Sequence, residues 1–181
     1  MSGLLGAKPN QSDAVLLVLD MQTGFPAACD AITIWFVKQE ILRAIQLAMT
    51  IVILEFDVDD LGATHKEIMD LVADYPLAIV IGRAPRRRGQ AEHERDNGAE
   101  EVVEACLGHG FQTEGFRVCG VNSDACVVRT VVGLSSLAPS CRITVVQDAC
   151  NSTNGRNTHV FQDVFPRMPN VSVLEHGATA Y

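Results

Sequence analysis

The sequence predicts a three-layer αβα sandwich built on a six-stranded parallel sheet, and three observations lead there. Short, unbroken apolar runs rich in Val, Ile and Leu recur along the chain, as strands buried on both faces require. Segments with apolar residues at helical spacing separate them, so consecutive strands are joined by crossovers and run parallel. No repeat, low-complexity tract or linker interrupts the 181 residues, which predicts a single domain over 1–181.

Ala14 to Leu19 is the first such run and closes on Asp20. Ile32 to Met49 places Ile34, Val37, Ile41, Ile45 and Ala48 on one helical face. Thr50 to Phe56 is the second strand, followed by an acidic loop, Asp57 to Asp60, and a short helix from about Thr64 to Ala73. Leu77 to Ile81 is the third strand, ending at Gly82-Arg83. Ala84 to Asn97 has few apolar anchors and reads as a long loop, the kind that often serves as a lid. A helix over Ala99–Leu107, a strand over Phe116–Val121, a helix carrying Cys126, and a strand over Arg142–Val146 come next. A last helix near Asn157–Phe165 and a sixth strand, Val171–Leu174, complete the set.

A formal charge of −8 argues against nucleic acid as a partner, because a nucleic-acid surface needs a basic face. No apolar run is long enough to cross a bilayer, and Met1–Asp13 lacks a basic segment followed by an apolar one, so the expected location is the cytoplasm. Six cysteines without CxxC pairs or zinc spacing read as free thiols in a reducing compartment.

The chemistry gathers at two strand ends. In open α/β sheets ligands collect at the carboxyl ends of strands, which is where Asp20 falls; a turn or capping carboxylate is the plain alternative. At Gly120-Val-Asn-Ser-Asp-Ala-Cys126, a strand stops at Gly and at capping residues before a helix begins, making Cys126 a first-turn residue. The helix dipole would lower its thiol pKa there, although an inert buried cysteine fits the same local pattern.

The segments Val18-Leu-Asp-Met-Gln-Thr-Gly-Phe25, Gly120-Val-Asn-Ser-Asp-Ala-Cys-Val127 and Val145-Val-Gln-Asp-Ala149 together resemble the isochorismatase-like cysteine hydrolases. Those proteins show V-x-D-M-Q-x-x-F, G-V-x-[ST]-[DE]-x-C-V and V-V-x-D-A in this order. The resemblance implies a Cys-Asp-Lys triad, with Cys126 as nucleophile and Asp20 as acid/base. It also implies an oxyanion hole from the N–H groups of Ala125 and Cys126, and a cis peptide in that turn. The family lysine comes after the third strand, yet the only lysines here are Lys8, Lys38 and Lys66, and Arg83 stands in that place. Arg83 either completes the site or begins the solvated Arg86–Arg88 cluster, and a guanidinium is not a conservative exchange for an ammonium.

The family's nicotinamidase branch carries a D-x-H-x(3)-H metal site after the second strand. Asp57, Asp59 and His65 are the nearest residues, but the first His is replaced by Asp and His65 is displaced, so no metal and no cofactor are expected. His159 matches a histidine common in the family's last helix, where packing or exposure explains it equally well, and His93, His109 and His176 support no role. Phe25, Val121 and Asn122 are expected to bind substrate, with Trp35 adding to an apolar wall. The implied activity is hydrolysis of an amide or carbamoyl-type C–N bond in a small molecule through a Cys126 thioester. Dimers or tetramers are the family habit. The rival is a catalytically degenerate member acting as a binding or assembly protein, which absence of the lysine favours.

Overall fold

A computed structural model of the chain describes residues 14–83, 98–111, 114–155 and 159–175. The expected loop over 84–97 with its Arg86–Arg88 cluster and His93, and His176, lie outside these residues, as do Lys8 and the start of the last expected helix.

The strands are β1 (Ala14–Leu19), β2 (Thr50–Phe56), β3 (Ala78–Arg83), β4 (Gly115–Val121), β5 (Arg142–Asn151) and β6 (Val171–Leu174). All pairings are parallel, in the order β3-β2-β1-β4-β5-β6. The chain therefore winds outward in one direction from β1, then jumps back to β4. Between β1 and β4 the order reverses, and the crevice at such a reversal is where open α/β sheets hold ligands.

Helices α1 (Ala31–Gln46), α2 (Val58–Leu61), α3 (Lys66–Val72), α4 (Ala99–Gly108) and α5 (Val128–Leu137) join the strands. Alternate residues of each strand serve opposite layers. Leu16 and Val18 pack with Ile34, Val37 and Ile41 of α1, whereas Val15, Leu17 and Leu19 pack with Val102 of α4 and Val131 and Leu134 of α5. All five of these β1 residues are fully buried, which accounts for the unbroken apolar run. α1 starts where the Asp30 carboxylate accepts hydrogen bonds from Thr33 N and Oγ1, at 2.8 and 2.7 Å.

The structure differs from the sequence expectations at four places. The expected acidic loop contains α2, begun by Asp57 at a positive φ of 46°. Strand β3 extends to Arg83, because Phe56 of β2 continues the ladder as its partner. Strand β5 runs to Asn151 rather than stopping at Val146, with a register shift opposite the Val118–Gly120 stretch that brings Cys150 beside Gly120. Beyond His159, a π-helical turn over Val160–Val164 and a 3₁₀ turn over Phe165–Arg167 stand in place of a regular helix.

Candidate active site

Three strand ends converge on one small volume. β1 ends at Asp20, fully buried, with a φ of 51° and its N–H donating to Leu54 O at 2.9 Å. Asp is among the few residues that accept this left-handed conformation, and the turn ends the strand at that carboxylate. β3 ends at Arg83, whose side chain is 5% exposed and whose Nη2 lies 2.9 Å from Asp20 Oδ2. The guanidinium also lies over the ring of Phe56, 4.7 Å from its centroid.

Cys126 completes the group. It lies in a π-helical turn, Ser123–Val127, between β4 and α5, near enough to Asp20 and Arg83 for both charges to act on its thiol. The Val121–Asn122 peptide before it is cis.

Only glycine can occupy position 120. Its φ is 121°, and a Cβ there would lie 2.1 Å from Leu19 O and 2.7 Å from Leu19 N. β4 therefore approaches β1 closely just where each strand delivers its polar residue.

The electrostatics reverse one expectation. Burial, followed by the nearby charge of Asp20, pushes the Cys126 thiol up to about 11; Arg83 pulls the other way without prevailing. The lowered pKa expected from the helix dipole is outweighed by desolvation of the half-buried thiol and by the carboxylate near it. For Arg83, burial acts to lower the pKa, but Asp20 and Cys126 outweigh it and the net direction is upward. The resting site thus contains an ion pair and a neutral thiol.

Other sequence-derived candidates are placed less favourably. The Ala125 N–H donates to Asn122 O at 3.0 Å, so it is already engaged. Val121 is fully buried within the α1-side core. Asn122 Oδ1 accepts from Thr153 N and Oγ1, both at 3.1 Å, and is committed to the loop after β5. Phe25 is half-buried against the α1-side core, five residues past Asp20. Trp35 is 55% exposed and stacks edge-on with Phe36, outside the buried face of α1. His65 Nε2 lies 3.8 Å from Cys29 Sγ, and His159 pairs with Asp163 at the surface. Among the described residues no group of three His, Cys, Asp or Glu side chains is placed to hold a metal.

Sequence reasoning missed Gln22 and Phe56. Gln22 is fully buried; its Oε1 accepts from Phe56 N at 2.7 Å and its Nε2 donates to Phe56 O at 2.9 Å and to Gly62 O at 2.5 Å. It fixes the end of β2 and with it the ring beneath Arg83. The signal was present in the Asp20-Met-Gln22 segment, where a polar residue comes after a fully apolar strand.

No family model and no curated protein matches the chain. Solved structures do. The MAR1 ribonuclease of Caenorhabditis elegans is 18% identical, with 93% of this chain and 79% of that chain covered and a TM-score of 0.67. An isochorismatase of Pseudomonas putida is 15% identical, covering 96% and 93%, with a TM-score of 0.66. The nicotinamidase SaPncA of Staphylococcus aureus is 14% identical, covering 90% and 99%, with a TM-score of 0.63. The chain has the isochorismatase-like hydrolase fold. Within that fold the buried Asp20–Arg83 pair and the half-buried Cys126 lie at the crevice beside β1 and β4.

Proposed function

We propose that the protein is an isochorismatase-like cysteine hydrolase that cleaves a C–N bond, amide or carbamoyl-type, in a small molecule. The observation that carries this reading is the buried Asp20–Arg83 pair beside the half-buried Cys126, whose thiol feels both charges. A thiol, a carboxylate and a fixed cation supply what acyl transfer needs: a nucleophile, a proton carrier and a charge to keep the carboxylate ionised.

Asp20 takes the proton from Cys126 as Sγ attacks the carbonyl carbon, and the oxygen becomes an oxyanion met by the Cys126 N–H. With the Ala125 N–H directed at Asn122 O, the second donor comes from elsewhere or from reorientation of that turn on binding. Asp20 gives its proton to the leaving nitrogen, the C–N bond breaks, and a thioester remains on Cys126. Water then attacks the thioester, Asp20 accepting its proton and returning it to the sulfur as the acid leaves. Arg83, in the place of the family lysine, favours the ionised form of Asp20 between proton transfers, through its charge and its hydrogen bond to Oδ2.

A small-molecule substrate agrees with the net charge of −8, which disfavours nucleic acid even though one structural neighbour is named a ribonuclease. No helix among the described residues is long and apolar enough to cross a membrane, and a cytoplasmic location is part of the proposal. So is a homo-oligomer, supported by the exposed Ile32 and Trp35 on α1.

The second reading, a binding or assembly protein on a degenerate site, is favoured by the thiol pushed up to about 11 and by the arginine substitution. One experiment separates them. The protein is incubated with nicotinamide, carbamoyl and ureido compounds while released ammonia and the intact mass are monitored. Turnover, or an acyl adduct on Cys126 that is absent from Cys126→Ser, supports the hydrolase; neither across the panel leaves the binding protein.

A further inference from the structure

A cavity of about 700 Å³ opens at the opposite end of the sheet, where the strands begin. Ala14 at its edge and Asp20 at the candidate active site bracket β1, which separates the two by roughly 20 Å at the rise of a parallel strand. Its size falls in the range of small-molecule clefts.

Three arginines line it: Arg43 in the last turn of α1, Arg117 on β4 and Arg142 at the first position of β5. Strand register explains the polar floor. Leu16, Arg117, Thr144 and Ser172 are successive partners across β1, β4, β5 and β6, so their side chains share the face that carries α1. Leu16 is buried in the α1 layer, and the remaining three form a polar row running out to the β6 edge, with Thr144 Oγ1 3.2 Å from Ser172 Oγ.

The arginines are not equivalent. Arg117 is oriented by Glu40, a carboxylate that is 1% exposed: Nη2 donates to Oε1 at 2.9 Å and Nε donates to Oε2. Burying such a pair is costly, and nothing in the proposed hydrolysis uses it. It does hold a guanidinium in one orientation at the cavity wall. Arg43 and Arg142 are exposed and form no ion pair among the described residues. Glu114 is the only carboxylate among the described residues of the lining. In a chain of net charge −8, two unneutralised guanidiniums and a third fixed in place mark a local positive site over hydroxyl groups.

We propose that this cavity binds a small phosphorylated molecule carrying two oxyanionic groups, with Arg43 and Arg142 meeting them from α1 and β5 and Arg117, Thr144 and Ser172 completing the floor. Guanidinium forks match phosphate oxygens in two-bond geometry, which makes them the suitable donors for such a ligand.

The test is calorimetric titration of the full chain with inorganic pyrophosphate at low salt. Saturable binding is expected, weakened about tenfold or more by Arg43→Ala and by Arg142→Ala, each an exposed position whose loss leaves the core intact. Glu114→Gln is expected to tighten it. Arg129→Ala, on the exposed side of α5, and Cys126→Ser are expected to bind like the parent. Absence of saturable binding overturns the proposal. So does equal weakening by Arg129→Ala, which would mean diffuse attraction, or loss of binding in Cys126→Ser, which would place the anion at the other end of the sheet.

Discussion

Arg83 Nη2 donates to Asp20 Oδ2 across 2.9 Å, and both side chains are almost wholly removed from water. Sixty-three positions separate them in the chain, and they meet because β1 and β3 both pair with β2, which positions each strand end. An isolated buried carboxylate would be expensive, so each member of this pair requires the other. Arg83→Met is expected to cost roughly 3–5 kcal/mol in urea unfolding, the usual penalty for breaking a buried ion pair from one side. Arg83→Lys keeps a cation and should recover part of that loss; a Lys variant as unstable as the Met variant would show that the fork geometry, not the charge, matters.

The Cys126 thiol gives a pH signature with a definite sign. With burial and Asp20 holding its pKa up to about 11, alkylation of Cys126 by iodoacetamide should be slow at neutral pH and climb toward that value, since only the thiolate reacts. Asp20→Asn removes a negative neighbour, which favours the thiolate, so the climb should move to lower pH. Arg83→Met removes a positive one and should move it higher. Peptide mass spectrometry distinguishes Cys126 from the exposed Cys29, which provides an internal reference. Fast labelling of Cys126 at pH 7 would contradict this electrostatic description.

Gly120→Ala should be among the most damaging single-methyl additions in the protein. The new Cβ would collide with Leu19 backbone, which cannot rotate aside, at a φ that L residues rarely adopt. A loss of about 3 kcal/mol or more is expected from strain of this kind, read from denaturant midpoints. Gly108→Ala, at the end of α4 where the added Cβ meets nothing within 4 Å beyond its chain neighbours and its own helix backbone, serves as control and should change little.

Ile32 and Trp35 are 58% and 55% exposed on α1. If the proposed homo-oligomer uses this surface, Trp35→Glu should lower the mass measured by light scattering while thermal unfolding of the subunit is retained. An unchanged mass would place the contact elsewhere or remove it.

Strands were the most legible part of the molecule. Runs such as Ala14–Leu19 and Thr50–Phe56 carry apolar residues on both faces, so the pattern needs no knowledge of neighbours to be read. Position 126 was legible as a strand-to-helix junction, but its acidity was not. The helix dipole is a local property visible in the sequence, whereas the burial and the Asp20 charge that outweigh it arise from a strand more than a hundred residues away. Trp35 failed for a related reason: aromatic character suggested a wall, but which face of α1 it occupies depends on Ile34, Val37 and Ile41 claiming the core. The length of β5 was hidden because Gln147-Asp148 breaks the apolar run while the ladder resumes beyond it.

The Gln22 amide fastens both feet of the acidic segment, gripping Phe56 at one side and Gly62 at the other. Between these anchors Asp57 N donates to Arg83 O at 2.9 Å and Leu61 O accepts from Gly24 N at 2.8 Å, which leaves the exposed side chains of Val58, Asp59 and Asp60 as the part that can alter without disturbing the aromatic floor under Arg83. Those three positions can therefore be exchanged, and the charge of the stretch with them, while Asp20, Phe56 and Arg83 keep their alignment.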